Sequence, residues 1–347
     1  MTIRVRSLEA GAEAAWDAFV LAHPEGGFFH RAAWRHVITS GFGHPAHYVF
    51  AERDGAIVGI LPLGHVRTML FGNALVSVPF CVYGGPLAVD AAAGQALLGH
   101  ATDLMRNRKV PVLELRFRTS PDWLDPAEWP ARPDLYVTFR RGFTGNDETN
   151  LKAIPRKQRA MVRKGIDLGL VSVIDPSADR LHAIYAESVR NLGTPVFSRR
   201  YFALLLELFA ADADVVTVMD GDKAIASVLN FYHRNEVLPY YGGGRAVARD
   251  RYGNDFMYWE VMRRAAERGF DMFDFGRSKL GTGAFAFKKN WGFTPEPLHY
   301  RFRLAPGAAI PDVNPLNPKY RMLIAAWKRL PVRVANLIGP HIVRGLG

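Results

Sequence analysis

The chain has 347 residues, of which 49% are hydrophobic, enough apolar side chains for two buried cores. Its single cysteine excludes an intramolecular disulfide and fits a reducing compartment. No run approaches the roughly 18 apolar residues of a membrane-spanning helix, and no apolar stretch follows the first residues as in a secretory signal. We therefore expect a cytoplasmic protein in which Cys81, within an apolar run, is buried and inert.

The net charge of +11 is concentrated in two segments. Residues 151–170 contain six basic residues and one acidic residue, and residues 315–347 contain six basic residues and no acidic residue. Clustered positive charge favours an anionic partner such as phosphate, nucleic acid or an acidic membrane surface. A solvated basic face is the alternative for each segment.

The first half of the chain alternates helical and strand-like patterns. Residues 9–22 and Phe29 to Gly41 are predicted to be helices. A hairpin across Asp54-Gly55 follows, because Asp-Gly is a favoured tight turn. The remaining predictions are a strand region at 74–82, a helix at 91–107, a strand from Val110 to Phe117 and a surface connection from Pro121 to Pro133.

The second half begins with a basic helix at 155–168, whose Pro155 suits a first turn. Two more helices, three strands, a helix capped by Asn254 or Asp255, and further short elements follow. Their predicted bounds are helices 178–191 and 198–210, strands 214–219, 224–232 and 236–242, a helix ending near Gly269, strand 271–276, a short helix within Phe285 to Phe293, and a strand from Leu298 to Leu304.

Tyr-Gly-Gly occurs at Tyr83-Gly84-Gly85 and at Tyr241-Gly242-Gly243, and the order of elements around it repeats. Such a repeat indicates two copies of one unit, and alternating strands and helices indicate mixed α/β layers. The glycines do not have the spacing of a dinucleotide or P-loop site. No convincing zinc spacing and no serine nucleophile elbow occur, so we expect no metal site.

Polar groups and glycines are densest between Tyr240 and Phe293. Gly242 and Gly243 would let a ligand approach a strand closely, although a simple bulge is the alternative. The helix start at Asn254-Asp255 can hold an anion or a carbonyl, with ordinary capping as the alternative. Arg277 lies just beyond a strand end, where ligands of α/β sheets bind.

Lys288 and Lys289 lie beside aromatic residues on the predicted short helix. A lysine here can neutralise the negative charge that develops on a leaving group. The alternative is a solvated face.

The order of elements in each unit resembles the GNAT acyltransferase fold, and the tandem pair resembles the FemAB/FemX-like aminoacyl and peptidyl transferases. The resemblance covers about residues 28–304. It is carried by Tyr241-Gly242-Gly243, the helix Asn254 to Arg268, Phe273-Asp274-Phe275-Gly276 and Phe287-Lys288 with Gly292-Phe293. Gly253 to Tyr258, Lys288 to Phe293 and the tail from Asn317 to Pro340 resemble the subgroup associated with exosortase/PEP-CTERM and exopolysaccharide systems.

The resemblance implies two tandem GNAT-like domains, at 1–145 and 146–305, followed by a basic helical tail at 306–347. It implies transfer of an acyl or aminoacyl group from a thioester or ester to an amine on a cell-envelope or exopolysaccharide precursor. The donor would be aminoacyl-tRNA, a carrier-bound acyl group or acyl-CoA, and no further cofactor is implied.

Three residues are predicted to be catalytic. Lys288 matches the family's Phe-Lys lysine, which stabilises the departing donor, and Tyr241 or a water-linked Asp255 is expected to accept the proton. The helix at 155–168 matches a basic segment of the family that lies near a phosphorylated donor. The predicted substrate-binding residues are Arg156, Arg159, Arg163, Gly242, Gly243, Asn254, Arg277 and Lys289.

One departure from the GNAT pattern concerns the donor. Aligned on Gly253, the usual pyrophosphate-binding sequence has Asp250 and Asp255 at its ends, and two carboxylates repel a pyrophosphate. This favours a tRNA-borne or carrier-borne donor. An acetyl-CoA-dependent N-acetyltransferase and a non-catalytic RNA- or lipid-binding module are the alternatives.

The tail has an amphipathic pattern. From Pro318 to Leu330, apolar residues including Leu323, Ile324 and Trp327 share one helical face that basic residues flank. The pattern predicts peripheral attachment to the inner face of an anionic membrane through 318–344, and a helix packed on its own domain is the alternative.

Overall fold

A computed structural model describes residues 2–68, 71–132, 136–311 and 318–347, with side chains described from Arg321 onward in the last range. The chain divides into two compact units. The first comprises Met1–Tyr136, Pro297–Asp312 and Arg344–Gly347, and the second comprises Val137–Glu296 and Val313–Val343.

Strands and helices alternate along both units. In chain order the strands are β1 (Arg4–Ser7), β2 (Ala46–Arg53), β3 (Ala56–Thr68), β4 (Gly72–Ser77), β5 (Leu87–Ala88), β6 (Val112–Phe117), β7 (Tyr136–Gly142), β8 (Val171–Asp175), β9 (Ala213–Asp220), β10 (Lys223–His233), β11 (Glu236–Gly244), β12 (Met272–Asp274), β13 (Ser278–Lys279), β14 (Pro295–Pro297) and β15 (His299–Leu304). The helices are α1 (Glu13–Ala22), α2 (Trp34–His36), α3 (Ala91–Asn107), α4 (Asp147–Ala153), α5 (Arg156–Asp167), α6 (Asp179–Leu192), α7 (Arg199–Leu208), α8 (Ala246–Asp250), α9 (Gly253–Glu267), α10 (Gly283–Asn290), α11 (Pro318–Arg329) and α12 (Val332–Val343).

The sheet of the first unit has the strand order β1-β2-β3-β4-β6-β15, with β5 paired to β3. β4 and β6 run parallel, and the other neighbours are antiparallel. The helix α3 begins where Asp90 Oδ1 accepts a hydrogen bond from the Ala93 N–H at 2.9 Å. Its Leu97 and Ala101 pack into one core with sheet residues such as Leu113.

The second unit repeats this plan with the strand order β13-β7-β12-β11-β10-β9-β8, and β14 pairs with β7. β11 and β12 run parallel, whereas β12–β7, β11–β10, β10–β9 and β9–β8 are antiparallel. Phe256, Val261 and Met262 of α9 form a core with Val216 and Val228 of the sheet. The expected doubled α/β architecture is confirmed.

Several predicted elements of the first unit were wrong in detail. The first helix begins at Glu13, and the strand predicted at 74–82 ends at Ser77. The segment from Phe29 to Gly41 is a 3₁₀ turn, the three-residue α2 and a π-helical turn rather than one helix. The spacing of its apolar residues reflects their burial rather than a continuous helix, because Trp34 is fully buried within a series of short turns.

The prediction for the stretch from Pro121 to Pro133 was wrong, and the prediction that Cys81 is buried is confirmed. The stretch from Pro121 to Pro133 is more than a surface connection, since Leu124 and Trp129 are buried in the core of the first unit. Cys81 is buried, as expected. Residues Pro133 and Asn317 of the quoted segments lie outside the described residues.

The compact units differ from the predicted segments 1–145, 146–305 and 306–347 because strand pairing and helix packing do not follow chain order. β15 pairs with β6 and so belongs to the first unit. β7 pairs with β12 in the second unit, which also contains α11 and α12.

Candidate functional site

The parallel strands β11 and β12 of the second unit form a fork. Only Glu236–Met272 and Val237–Phe273 are paired, and β11 then runs on to Gly244 while the Phe275 N–H bonds to Phe139 O on β7 at 2.9 Å. The register between β11 and β10 shifts around Tyr240, which marks a bulge just past the last pair. A bulge and a strand end therefore lie at the same level, beyond the carboxyl end of β12, where ligands of open α/β sheets bind.

The two predicted glycines face opposite sides of the sheet. A Cβ on Gly243 would lie 2.8 Å from Ser188 Cβ of α6, and a Cβ on Gly242 would lie 3.1 Å from Tyr258 Oη of α9. Glycine is therefore needed here for close helix–strand packing. A role in substrate binding stays a prediction for both.

Lys288 of α10 is held at the mouth of the fork. Its Nζ donates hydrogen bonds of 3.0 Å to the carbonyl oxygens of Gly276 and Arg277, and it lies 5.9 Å from the centroid of the Phe275 ring. Burial lowers the pKa of Lys288 to about 7, while Asp274 raises it and Arg277 lowers it further. An ammonium group has three N–H donors, so one remains for a ligand.

The loop that holds Lys288 is itself fixed by Asp274 at the end of β12. Asp274 Oδ1 accepts the Gly276 N–H at 2.7 Å, which shapes the turn whose carbonyls face Lys288. Arg140 of β7 forms salt bridges to Asp274, at 3.5 Å, and to Glu236 of β11. The salt bridges of Arg140 therefore hold Asp274 in place, and Asp274 in turn positions the Gly276–Arg277 backbone.

Asp255 lies in the first turn of α9, which begins at Gly253 rather than at a side-chain cap supplied by Asn254 or Asp255. Asp255 Oδ1 accepts from Trp291 Nε1 at 2.9 Å and from Gln158 Nε2 of α5 at 3.3 Å. Burial raises the pKa of Asp255 despite these donors. The carboxylate thus joins three elements around the fork and is a stronger base than an exposed aspartate.

Tyr241 lies on the other sheet face from Asp255. Its hydroxyl is 2.7 Å from the hydroxyl of Tyr201 on α7, and its ring packs against Tyr185 of α6 and Phe202 of α7. The structure therefore does not bring the three predicted catalytic residues together: Lys288 and Asp255 lie on the α9–α10 side, and Tyr241 faces α6 and α7.

Tyr258 of α9 is a polar group of this site that was not among the predicted site residues. Its ring packs against Phe275 at 4.8 Å, the same ring that Lys288 approaches, and its hydroxyl has no hydrogen-bond partner among the described residues. Burial and the nearby Asp255 raise the pKa of Tyr258 to about 12. It therefore remains a neutral hydrogen-bond donor at physiological pH.

Arg141 of β7 is a second residue that sequence reasoning missed. Its Nη1 donates to the carbonyl oxygen of Trp291 at 3.1 Å, and its guanidinium lies 4.4 Å from the Phe293 ring centroid. Burial lowers the pKa of Arg141. Arg141 anchors the chain just after α10, and no local sequence signal pairs it with that turn.

The basic helix α5 packs on α9 through buried Val162 and Gly165 and exposes all its cations except the half-buried Arg159. Arg156 and Arg163 are exposed and have no hydrogen bond or salt bridge within the described ranges, whereas Arg159 Nη1 donates to Lys152 O at 3.1 Å. The three arginines recur at helical spacing, so they can share one face.

The remaining predicted binding residues lie around the fork. Asn254 is half-buried against Gly244, whose added Cβ would lie 2.3 Å from Asn254 Oδ1. Arg277 is half-buried on the loop that holds Lys288, and Lys289 is exposed. Their contact with a ligand stays a prediction.

The described residues contain no group of three or more His, Cys, Asp or Glu side chains arranged to hold a metal ion. Within the same ranges, every helix is too short or too polar to cross a bilayer.

Comparisons with known proteins place this fork in a named fold. Residues 150–289, from α4 to Lys289 in α10, match the family profile described as an acetyltransferase (GNAT) domain. No curated protein sequence matches the chain. The second unit therefore carries a GNAT-type acyltransferase domain.

Solved structures extend the likeness to both units. The crystal structure of FemX aligns with a TM-score of 0.69 at 16% sequence identity, over 87% of this chain and 97% of that chain. A tandem GNAT protein from the clavulanic acid biosynthesis pathway aligns with a TM-score of 0.55 at 12% identity, over 89% of this chain and 100% of that chain. The expected tandem GNAT-like fold is confirmed.

A third similar structure is the C-terminal domain of a protein designated lysylphosphatidylglycerol synthetase, from Agrobacterium fabrum. It aligns with a TM-score of 0.56 at 14% identity, over 86% of this chain and 93% of that chain. At these identities the three likenesses concern the fold.

Proposed function

We propose that this chain transfers an acyl or aminoacyl group from an activated ester or thioester to an amine, forming an amide at the fork of the second unit. The observation that carries the proposal is Lys288, whose Nζ is fixed by two backbone carbonyls and keeps one N–H donor for a ligand. A fixed cation stabilises a leaving oxygen or sulfur without reorganising during the reaction.

Different residues of the fork act on the oxyanion and on the leaving group of one addition–elimination reaction. The acceptor nitrogen attacks the donor carbonyl, and the neutral Tyr258 hydroxyl donates a hydrogen bond to the oxyanion. The C–N bond forms, the bond from carbon to the leaving oxygen or sulfur breaks, and Lys288 stabilises the departing group.

The proton of the attacking amine goes to Asp255 through water. Burial raises the pKa of Asp255, and no other side chain donates to its Oδ2 within the described residues. Tyr241 stays the alternative acceptor. Asp255→Asn and Tyr241→Phe variants discriminate the two. The ratio of the variant's rate to that of the unaltered chain cancels the ionisation of the acceptor amine, and this ratio should change with pH only for the variant that lacks the true acceptor.

The basic face of α5 supports a phosphorylated donor. Arg156 and Arg163 are exposed cations on the helix that Gln158 joins to Asp255, so an anionic donor bound there approaches the fork. Asp250 is exposed at the end of α8, and its charge disfavours a pyrophosphate at the start of α9. We therefore propose a tRNA-borne or carrier-borne donor ahead of acyl-CoA.

The acceptor is proposed to be an amine on a cell-envelope or exopolysaccharide precursor. The sequence resemblance to FemAB-like and PEP-CTERM-associated proteins supports this class. The name of the similar lysylphosphatidylglycerol synthetase describes a lysyl group carried by a phospholipid, which agrees with aminoacyl transfer at the envelope.

Mass spectrometry tests the proposal directly. The full chain is incubated with a lipid-linked amino sugar and one of three donors, aminoacyl-tRNA, an acylated carrier protein or acyl-CoA, and the mass of an amide product is sought. Lys288→Ala is expected to lower kcat about 100-fold while KM changes little, because the lost contact acts on the leaving group. Lys223→Ala, an exposed lysine at the start of β10, is the control. Unchanged kcat in Lys288→Ala would exclude the proposed role.

An acetyl-CoA-dependent N-acetyltransferase is the second candidate, because the matching family profile is described as an acetyltransferase domain. Thermal unfolding with increasing acetyl-CoA tests it. A saturating rise in the unfolding temperature favours this candidate, and no rise favours the tRNA-borne or carrier-borne donor. Steeply salt-dependent RNA binding without any amide product would instead indicate a binding module.

A further inference from the structure

The C-terminal helices α11 and α12 each have one face packed on the second unit. Gly193, at the end of α6, faces Ile324 of α11 so closely that an added Cβ would lie 2.5 Å from Ile324 Cγ2. Arg190 Nη1 of α6 donates to Lys328 O at 3.1 Å. On α12, Ala335 and Gly339 are buried, and Gly339 lies against Val196. The alternative of a helix packed on its own domain is thus correct for these faces.

The solvent-exposed sides of the two helices also carry apolar residues. Leu337 is 72% exposed, and Val334 and Ile338 accompany it at the i−3 and i+1 positions of α12. On α11, Met322 is 82% exposed and Leu323 is 67% exposed. These are among the most exposed apolar side chains of the described chain, and an apolar patch on a surface marks an interaction site.

The charge around this patch identifies its partner. Arg321, Arg329 and Arg333 are exposed on the same helices, and residues 315–347 contain no acidic residue. Apolar side chains on two helices that carry cations and no acidic side chain complement a surface with apolar depth and negative charge. A bilayer that contains anionic lipid has both properties.

The helix lengths determine the mode of binding. Each helix has twelve residues, about 18 Å, which is shorter than the roughly 30 Å hydrocarbon core. We propose that the exposed faces of α11 and α12 dock in the plane of an anionic membrane, with Leu323 and Leu337 inserted among the lipids. This inference does not depend on the proposed transfer reaction.

Flotation of the full chain with lipid vesicles tests the inference. Binding is expected to vesicles of phosphatidylcholine with phosphatidylglycerol and not to phosphatidylcholine alone, and to weaken when salt is raised. Leu337→Glu is expected to lower the partition constant about tenfold or more, the equivalent of withdrawing one leucine from the apolar phase. Far-ultraviolet circular dichroism checks that the variant keeps its helices.

Leu21→Glu is the matched control, because Leu21 is 57% exposed on α1 of the first unit. Vesicle binding by this variant should equal that of the unaltered chain. Equal binding by Leu337→Glu, or no binding of the full chain to anionic vesicles, would overturn the inference. Sedimentation without vesicles addresses a second copy of the chain: a dimer that Leu337→Glu dissociates would show that protein, not lipid, covers the patch.

Discussion

The two units contain the same parallel strand pair, and they fill the space beyond it differently. In the first unit, β4 and β6 are paired from Ala74–Val112 to Ser77–Leu115, and the chain after Ser77 then folds back. The N–H groups of Gly84 and Gly85 both donate to Arg116 O, at 3.1 and 2.7 Å. Backbone groups at this fork are therefore satisfied by the unit itself.

A cation occupies each fork. Arg116 is 4% exposed, and its guanidinium donates to Val78 O at 3.1 Å, to Cys81 O at 2.8 Å and to Glu114 at 2.7 Å. Lys288 makes two such carbonyl bonds and has a spare donor. One topology therefore holds an arginine ion-paired with Glu114 in the first unit and, in the second, a lysine that two backbone carbonyls fix and that keeps a donor for a ligand.

The largest effect is expected for Arg116→Leu. It leaves Glu114 and two carbonyl oxygens without their partner in a buried place, which should lower the free energy of unfolding by about 3–5 kcal/mol. Urea denaturation measures the loss. The folded fraction should keep its kcat, and a fall in kcat like that of Lys288→Ala would show that the first fork also has a catalytic role.

Features of the fold and of the candidate site were predictable from the sequence where the residues that determine them lie close together along the chain. The bounds of α3 were predicted correctly because Asp90 caps it and its alanine and leucine spacing is local. Lys288 was recognisable because it follows an aromatic residue in a resembling motif. The forks were not predictable, since they depend on pairing between strands far apart in sequence.

The repeated Tyr-Gly-Gly shows most clearly what a local sequence pattern cannot predict. Tyr241-Gly242-Gly243 lies within β11, whereas Tyr83-Gly84-Gly85 lies beyond the end of β4, in irregular chain. The inference of two units was correct because the order of elements repeats, but the two motifs are not equivalent. No local pattern distinguishes a Tyr-Gly-Gly in a strand from one that folds back on Arg116.

The pH dependence of turnover tests whether the charge of Lys288 acts in catalysis. The pKa of Lys288 falls from its ordinary 10.5 to about 7 because of burial, so its charge is present below pH 7 and is lost as the pH rises through that value. If the cation acts on the leaving group, kcat should fall on that alkaline limb. Lys288→Arg should abolish the limb, because arginine keeps its charge.

The rate of the unaltered chain is divided by the rate of Lys288→Arg at each pH. This ratio cancels the effect of the ionisation of the acceptor amine, which is common to both enzymes. A ratio that stays constant from pH 6 to about 9 would contradict the assignment. The free energy of unfolding gives an independent check, because it should rise over the pH range in which kcat falls. The unfolded chain binds the Lys288 proton more tightly, so the stability of the unaltered chain relative to Lys288→Met should rise as the pH increases from 7 towards 10.5.

The smallest effects are expected from the two charges nearest Lys288, and their signs are opposite. Asp274 raises the pKa of Lys288 and Arg277 lowers it. Asp274→Asn, which keeps an oxygen for the Gly276 N–H, should therefore move the alkaline limb to lower pH, and Arg277→Gln should move it to higher pH. Each shift should be about half a pH unit to one unit, as for a single neighbouring charge. Shifts of the same sign would show that the loop had rearranged, because a purely electrostatic change at Lys288 must follow the sign of the charge removed.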